Sequence, residues 1–326
     1  MPNQPPAGDP AQALFGPAHV FAALPTALHQ YAGARAVILP VPYDATTTFR
    51  AGTRDGPRAI IDASLQLELY DLELRCEIAA AGIHTLPELE PHLGSPEHMV
   101  ERVRQAVRLL LADGKLPLML GGEHTLTAGA VAACAERYPD LALLYLDAHA
   151  DVRPPYLGAR YNHASALRLA LEHLRAGSGE GGGPPAVGVG LRSAAFEEAE
   201  YVSQTRLPLV EAAEVAAARR NGAAALDALW QSALARLGPA GRPLYVSVDL
   251  DVFDPSLMAA VGTPEPGGLD WYEVTRLLRL AAERHPIVMA DVVELAPQEG
   301  PVACAFTAAK LAYKLIGYAL CLARQS

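Results

Sequence analysis

Nowhere in these 326 residues does an uncharged apolar run approach the roughly twenty needed to span a bilayer, so no transmembrane helix is expected. The first lysine or arginine is Arg35, and the basic start of a secretory signal is missing. Cysteine is sparse: Cys76, Cys134, Cys304 and Cys321 lie far apart and form no CxxC pair. That spacing excludes a disulfide framework and fits a reducing compartment, and none of the four sits where a catalytic thiol is expected. Positive charge is also in deficit, with 26 Lys and Arg against 36 Asp and Glu and a net charge of −10. A nucleic-acid binder carries a basic footprint, so that class is excluded, while an acidic surface favours cationic ligands. The expectation is a cytoplasmic protein with neither nucleic-acid nor membrane partners.

What is present is enough apolar material for a sizeable core, at 51% hydrophobic and 19% charged residues. No internal repeat or composition break requires a second domain. The opening segment is rich in Pro, Ala and Gly, so residues 1–34 read as an arm, disordered or contacting a neighbouring subunit, ahead of one catalytic domain over 35–326. A second such stretch, Ala176 to Pro185, reads as a surface loop.

Short apolar runs alternate with helical patterns through the rest. AVILPV from Ala36, LPLML from Leu116, LALLYL from Leu141, AVGVG from Ala186, PLYVSV from Pro243 and PIVMA from Pro286 are the clearest strands. Most are apolar throughout, as parallel strands covered on both faces are. Between them lie helices such as 98–113, where Val103, Val107, Leu110 and Leu111 recur at helical spacing. Further helices are expected over 125–138, 164–176, 271–284 and 307–323. Strand–helix alternation implies right-handed crossovers and a three-layer α/β/α sandwich with a mostly parallel sheet. Such folds bind ligands beyond the carboxyl ends of the strands.

Ionisable residues collect at those ends. LPLML runs into Gly121-Gly122-Glu123-His124, and LALLYL into Asp147-Ala148-His149-Ala150-Asp151. YVSV runs into Asp249-Leu250-Asp251, and IVMA into Asp291-Val292-Val293-Glu294. In an extended segment Asp147, His149 and Asp151 point the same way, as do Asp249 and Asp251. Crowded carboxylates need a compensating cation, because like charge and desolvation both disfavour ionisation. A mixed Asp/His set without thiolate suits Mn²⁺ or a similar oxygen-preferring ion. A lone DxD is more often a turn or a cap, but four strand ends in this order make chance a poor explanation. His173 and His285 match nothing and are expected on the surface.

At these residues the chain resembles the ureohydrolases, the arginase and agmatinase family. GGEH, DAHAD, SVDLDVFDP and VELAP stand in the family's order, and Pro42–Ile60 and Gly262–Leu269 resemble its flanking loops. The resemblance runs from about Ala36 to the C-terminus. It implies an arginase-like sheet of about eight strands and two Mn²⁺ per subunit. One ion would be held by His124, Asp147, Asp151 and Asp249, and the other by Asp147, His149, Asp249 and Asp251, with Asp147 and Asp249 bridging. Glu294 would receive a substrate guanidinium, and His163, in YNHAS, would shuttle protons. Asp151 would pass a proton to the departing amine. A homo-oligomer, trimer or hexamer, is also implied. Many relatives have GGDH where this chain has GGEH, which leaves the role of Glu123 open.

The implied reaction is hydrolysis of a small cationic guanidino compound to urea and a primary amine. After the DAHAD motif the stretch VRPPYLGARY lacks the polar character of arginases, and Ser193 stands where arginases carry an acidic residue after GLR. Both departures favour agmatine, giving putrescine, or an aminopropylagmatine of polyamine biosynthesis, giving spermidine. Arginase or guanidinoalkanoate hydrolase remain as alternatives, with Arg153 as a residue able to meet a carboxylate. A one-zinc amide hydrolase like the metal-dependent deacetylases and a silent relative are the readings from other classes.

Overall fold

The computed structural model describes residues 19–175 and 178–322; most of the expected N-terminal arm therefore lies outside the described residues. Ten strands are β1 Ala36–Val41, β2 Tyr70–Asp71, β3 Cys76–Glu77, β4 Ile83–Thr85, β5 Leu116–Gly121, β6 Ala142–Leu146, β7 Ala186–Leu191, β8 Leu209–Glu211, β9 Leu244–Asp249 and β10 Ile287–Val293. Eight form one sheet in the order β4-β1-β5-β10-β9-β6-β7-β8, and every neighbouring pair is parallel. β2 and β3 make a separate antiparallel pair. The expected three layers are present, because successive side chains of one strand enter opposite cores. Leu144 and Leu146 of β6 join Val246, Val248 and the helices Gly56–Ser64 and Val302–Leu320. Leu143 and Tyr145 join Met119 and the helices Pro96–Ala112 and Leu126–Arg137. A strand buried on both faces has no polar side, which is why these runs read as unbroken apolar segments.

The four strands whose ends carry the motifs, β5, β10, β9 and β6, are adjacent at the centre of the sheet. Their ends are level: Val292 pairs with Leu120, Val293 with Asp249, and Leu146 with Val248. Parallel pairing in register therefore brings motifs from distant parts of the chain to one edge.

Some expectations shift. The helix expected over 164–176 is α-helical only at Ala166–Leu171, after a 3-10 turn at His163–Ser165, and its last residue lies outside the described residues. The four shortest strands gave no visible pattern at two or three residues each. Within the reach of the expected arm, Phe21 and Leu24 are buried, and the Phe21 and Ala22 amides donate to Thr85 Oγ1 at 2.9 Å and Ser64 Oγ at 2.8 Å. His285 is not on the surface but 1% exposed. Only His285 and Pro286 separate the helix Trp271–Arg284 from β10, so the chain turns inward at once and carries the ring with it. Burial, reinforced by the nearby charge of Arg284, lowers its pKa and keeps it neutral. No described helix is long and apolar enough to cross a membrane.

The C-terminal helix carries a buried cation. Lys314, 5% exposed, places Nζ 2.9 Å from Asp71 Oδ2 and 2.6 Å from Glu73 Oε2, tying the β2–β3 turn to the helix. Burial alone would raise the Asp71 carboxyl, but the Leu74 amide and the Lys314 ammonium reverse this and hold it below its usual range. Lys314→Met leaves a buried carboxylate unpaired and is expected to cost about 3 kcal/mol of stability near neutral pH. Since the folded pKa is depressed, the pairing contributes fully above about pH 4 and fades as pH falls through the lower folded value. Thermal melts between about pH 7 and pH 3 should show a larger acid loss in the wild type than in Lys314→Met.

Candidate metal centre

Each central strand ends in a turn that its own sequence requires. After β5, Gly122 passes so close to Tyr43 that a Cβ would lie 1.9 Å from the Tyr43 carbonyl oxygen, so no other residue fits without moving the backbone. The Glu123 amide then donates to that oxygen at 2.8 Å, which turns His124 inward. The expected alternation along Asp147–Asp151 holds only in part: beyond β6 a parallel bridge still pairs His149 with Ser193, but Asp151 has a left-handed φ of 49° and leaves the extended path. Carboxylate-to-amide bonds, two within a local turn and one between strand ends, add to the positioning. The His149 amide donates to Asp147 Oδ1 at 2.6 Å, the Ala148 amide to Asp251 Oδ1 at 3.0 Å, and the Asp251 amide to Asp249 Oδ1 at 2.8 Å. Each of these aspartates commits one oxygen to the main chain and leaves the other free.

The free atoms gather into two groups, His124 with Asp147 and Asp249, and Asp147 with His149 and Asp251, in each of which the donor atoms lie within 4.8 Å of one another. His124 Nδ1 lies 3.1 Å from Asp147 Oδ2 and 3.2 Å from Asp249 Oδ2, and His149 Nδ1 lies 2.9 Å from Asp251 Oδ2. Asp147 belongs to both groups, and its Oδ2 is buried without a hydrogen-bond partner. Asp249 enters only the first, and its Oδ1 accepts the Asp251 amide. Asp151 stands beside the first group, 3.5 Å from His124 Nδ1, and its Oδ2 accepts from the Tyr145 hydroxyl at 2.8 Å. Burial first, and neighbouring carboxylates second, push the Asp151, Asp249 and Asp251 carboxyls upward. Positive charge placed among them reverses that push. The orphaned Asp147 oxygen and the oxygen and imidazole donors fit two divalent cations of the manganese type better than a structural zinc.

One cavity of about 280 Å³ takes in Asp151, Asp249, Asp251, His149, His163 and Glu294. Glu294 has a left-handed φ of 66°, and its Oε1 accepts the His124 amide at 2.6 Å. Its carboxyl is pushed up to about 8, chiefly by burial, with the carboxylates of Glu123 and Asp251 adding to it. Bulky residues in left-handed backbone mark functional sites, and two of the seven positive-φ non-glycine residues described, Asp151 and Glu294, sit here. His163 is lowered to about 4, by burial and then by the charge of His149, and its Nε2 lies 3.1 Å from Thr48 Oγ1. Asp291, by contrast, lies inside β10 and faces away from the cavity, toward Ser247, Tyr245 and Thr127. A larger groove of about 1110 Å³ runs past Tyr70, Trp271 and Lys314, but apart from Glu68 its carboxylates are already paired with cations or capping amides, and the clustered ligand-type residues lie in the smaller cavity.

Four contributors had no role assigned from the sequence: Glu123, whose role GGEH left open, Thr46, Tyr145 and Arg192. Glu123 receives the Thr46 amide at 2.6 Å and hydroxyl at 2.7 Å, and Thr46 Oγ1 in turn receives the His163 amide at 3.0 Å. Tyr145 stacks on His124 with ring centroids 4.4 Å apart. Arg192 donates to the carbonyls of Asp251 at 2.6 Å, Phe253 at 3.2 Å and Glu265 at 2.8 Å, pinning the segment that follows the second ligand pair to the Glu265 loop.

A family model described as the arginase family matches residues 34–317. An N(1)-aminopropylagmatine ureohydrolase from Synechocystis is 35% identical over 299 residues, covering 90% of this chain and 91% of the relative. Its counterpart from Thermus thermophilus is 37% identical over 288 residues, covering 88% and 91%. Among solved structures, the agmatine ureohydrolase of Thermoplasma volcanium superposes with a TM-score of 0.81 at 31% identity, covering 97% of this chain and 98% of that one.

The Glu123–Thr46–His163 chain yields a test independent of turnover. Thr46→Val removes the acceptor of the His163 amide, a bond worth about 1 kcal/mol. Hydrogen exchange at that amide is expected to speed up about fivefold, with exchange in β5 and β6 unchanged.

Proposed function

The chain belongs to the arginase family, and from that premise we propose that it hydrolyses a guanidino group to urea and a primary amine, on agmatine or an aminopropyl-extended agmatine. The observation that carries this reading is a cavity that both Asp/His groups reach, one through Asp249 and the other through His149 and Asp251, and that Glu294 and His163 also line. In this reading His124, Asp147, Asp151 and Asp249 hold one Mn²⁺ and Asp147, His149, Asp249 and Asp251 the other. When bound, the two ions lower the pKa of a water enough to make it a nucleophile at neutral pH.

The chain's own residues supply the rest. Glu294 sits in a site where burial disfavours its charge, and a guanidinium restores that charge through charge-assisted hydrogen bonds. Fixing the guanidinium against Glu294 holds its carbon over the ligand groups, converting attack into a positioned step. Asp151, with one oxygen on Tyr145, takes a proton from the attacking water and hands it to the departing amine. His163, held neutral by burial, takes up and releases protons toward solvent.

The mouth discriminates among guanidines by charge. Arg153 lies 3.7 Å from Glu197 and 3.8 Å from Glu198 and covers the Tyr156 ring at 4.5 Å, so its charge is already engaged. Glu265 adds a carboxylate 3.9 Å from His149 Nε2, and Ser193 offers no charge. An ammonium tail is favoured at such a rim, and the carboxylate of arginine would be buried without a free cation, at a cost of several kcal/mol.

Chelation is expected to abolish urea release and Mn²⁺ to restore it, with two ions per chain by elemental analysis; one ion would favour the deacetylase-like reading. Asp147→Ala, which removes the shared ligand, should lose both ions. Glu294→Gln should keep the metal and lose guanidine binding and turnover. His163→Asn should keep the metal and lower kcat by about 10²–10⁴. In a panel with Mn²⁺, agmatine or aminopropylagmatine should lead in kcat/KM; arginine or guanidinobutyrate leading would overturn the substrate assignment, and absence of urea release from all four would overturn the reaction.

A further inference from the structure

Behind the ligand groups lies a buried carboxylate that the reaction does not use. Asp291 is fully enclosed within β10, and no cation lies against it among the described contacts. Three hydroxyls surround it instead. Ser247 Oγ donates to Oδ1 at 2.7 Å, while Thr127 Oγ1 at 2.8 Å and Tyr245 OH at 2.5 Å donate to Oδ2. Burial pushes the Asp291 carboxyl up, and the charge of His124 and the three hydroxyl donors oppose that push by stabilising the carboxylate. Ser247 has a second contact: its Oγ lies 2.8 Å from His124 Nε2.

Proton bookkeeping gives this chain a direction. A serine hydroxyl has one proton, and here Asp291 receives it. The remaining lone pairs of Ser247 can only accept, so His124 Nε2 must carry a hydrogen. A cation taken up by the first group displaces the second ring proton, and the neutral imidazole then carries one N–H and leaves Nδ1 with its lone pair. That lone pair faces the first ligand group, 3.1 Å from Asp147 Oδ2 and 3.2 Å from Asp249 Oδ2. Tyr145, stacked within 3° of parallel on the ring, holds its plane.

We propose that Ser247 and Asp291 form a tautomer lock, a positioning pair that keeps His124 in its Nε2–H form and presents Nδ1 to the cation of the first group. Thr127 and Tyr245 share the other carboxylate oxygen, so either alone keeps it engaged, and neither touches His124. The lock acts on metal affinity through His124 and touches neither substrate nor the second ligand group. It rests on the two-ion reading given above.

Mn²⁺ titration of metal-free protein, by calorimetry with a competing chelator, tests it. The wild type should take up two ions; failure to do so would overturn the two-ion reading itself and the lock with it. Ser247→Ala should weaken one of the two sites about 10- to 100-fold, the range for loss of an outer hydrogen bond to a metal-ligating histidine, and leave the other unchanged. Ser247→Thr, which keeps the hydroxyl, should recover the affinity. Thr127→Val deletes a hydroxyl from the same carboxylate without touching His124, and should leave both sites at the wild-type level. Should Ser247→Ala fail to fold, Asp291→Asn carries the same test. Thr127 and Tyr245 hold its amide oxygen, so its amide nitrogen faces Ser247, reverses the direction of donation and inverts the tautomer. Two-ion binding in the wild type with no change in either variant would overturn the lock. So would equal weakening by Ser247→Ala and Thr127→Val, which would mark a general loosening of the core.

Discussion

Four aspartates converge in one buried corner, and the rest of the structure is arranged around that repulsion. Two like charges about 4 Å apart at an effective dielectric constant near 20 repel by about 4 kcal/mol, so the set does not assemble of its own accord. It is held by the main chain. Asp147, Asp249 and Asp251 each bind one nearby amide, and those bonds aim the remaining oxygens at a common centre. The two imidazoles then stand between the carboxylates rather than beside them. A region that is overfull of negative charge when empty is suited to take in divalent cations, and binding there is linked to the stability of the fold.

Rigidity around this corner has several independent sources. Gly122 lets the β5 turn press against Tyr43, Arg192 ties the segment after the Asp249–Asp251 pair to the Glu265 loop, and Glu123 anchors the loop that carries Thr46. Left-handed backbone at Asp151 and Glu294 costs conformational energy that only a well-determined surrounding can sustain. Glu123 is therefore a framework residue in this chain. Its longer side chain reaches the Thr46 amide and hydroxyl together, which accounts for glutamate at that place.

The long apolar runs made the central strands legible, because a strand covered on both faces has only apolar residues to show. The helix Trp271–Arg284 was equally plain, bounded by the Asp270–Glu273 capping box and by the proline after His285. β4 and β8 escaped, since three residues at a sheet edge carry no period. The ligand residues were legible as a set because they follow strands, but the reason for their convergence was not. Alternation predicted a shared direction for Asp147, His149 and Asp151; pairing does continue to His149, but a left-handed Asp151 and carboxylate-to-amide bonds complete the convergence. Asp291 was grouped with the strand-end carboxylates because nothing in the sequence says that β10 continues to Val293. Burial of His285 was hidden for a similar reason, since it depends on how abruptly a helix passes into a strand.

The position of β9 and β10 has a consequence for the newly made chain. During synthesis β1, β4 and β5 can form one half-sheet and β6, β7 and β8 another, but the strands that join them arrive only after residue 243. Until then β5 and β6, interior strands of the finished protein, present unpaired edges and apolar faces, a state prone to wrong pairing between chains. The bond from the His124 amide to Glu294 spans 170 residues of sequence, so the corner closes only when the last strand has slid between its neighbours. Folding of this chain thus ends at its centre, and the catalytic corner and the keystone of the sheet are completed in the same event.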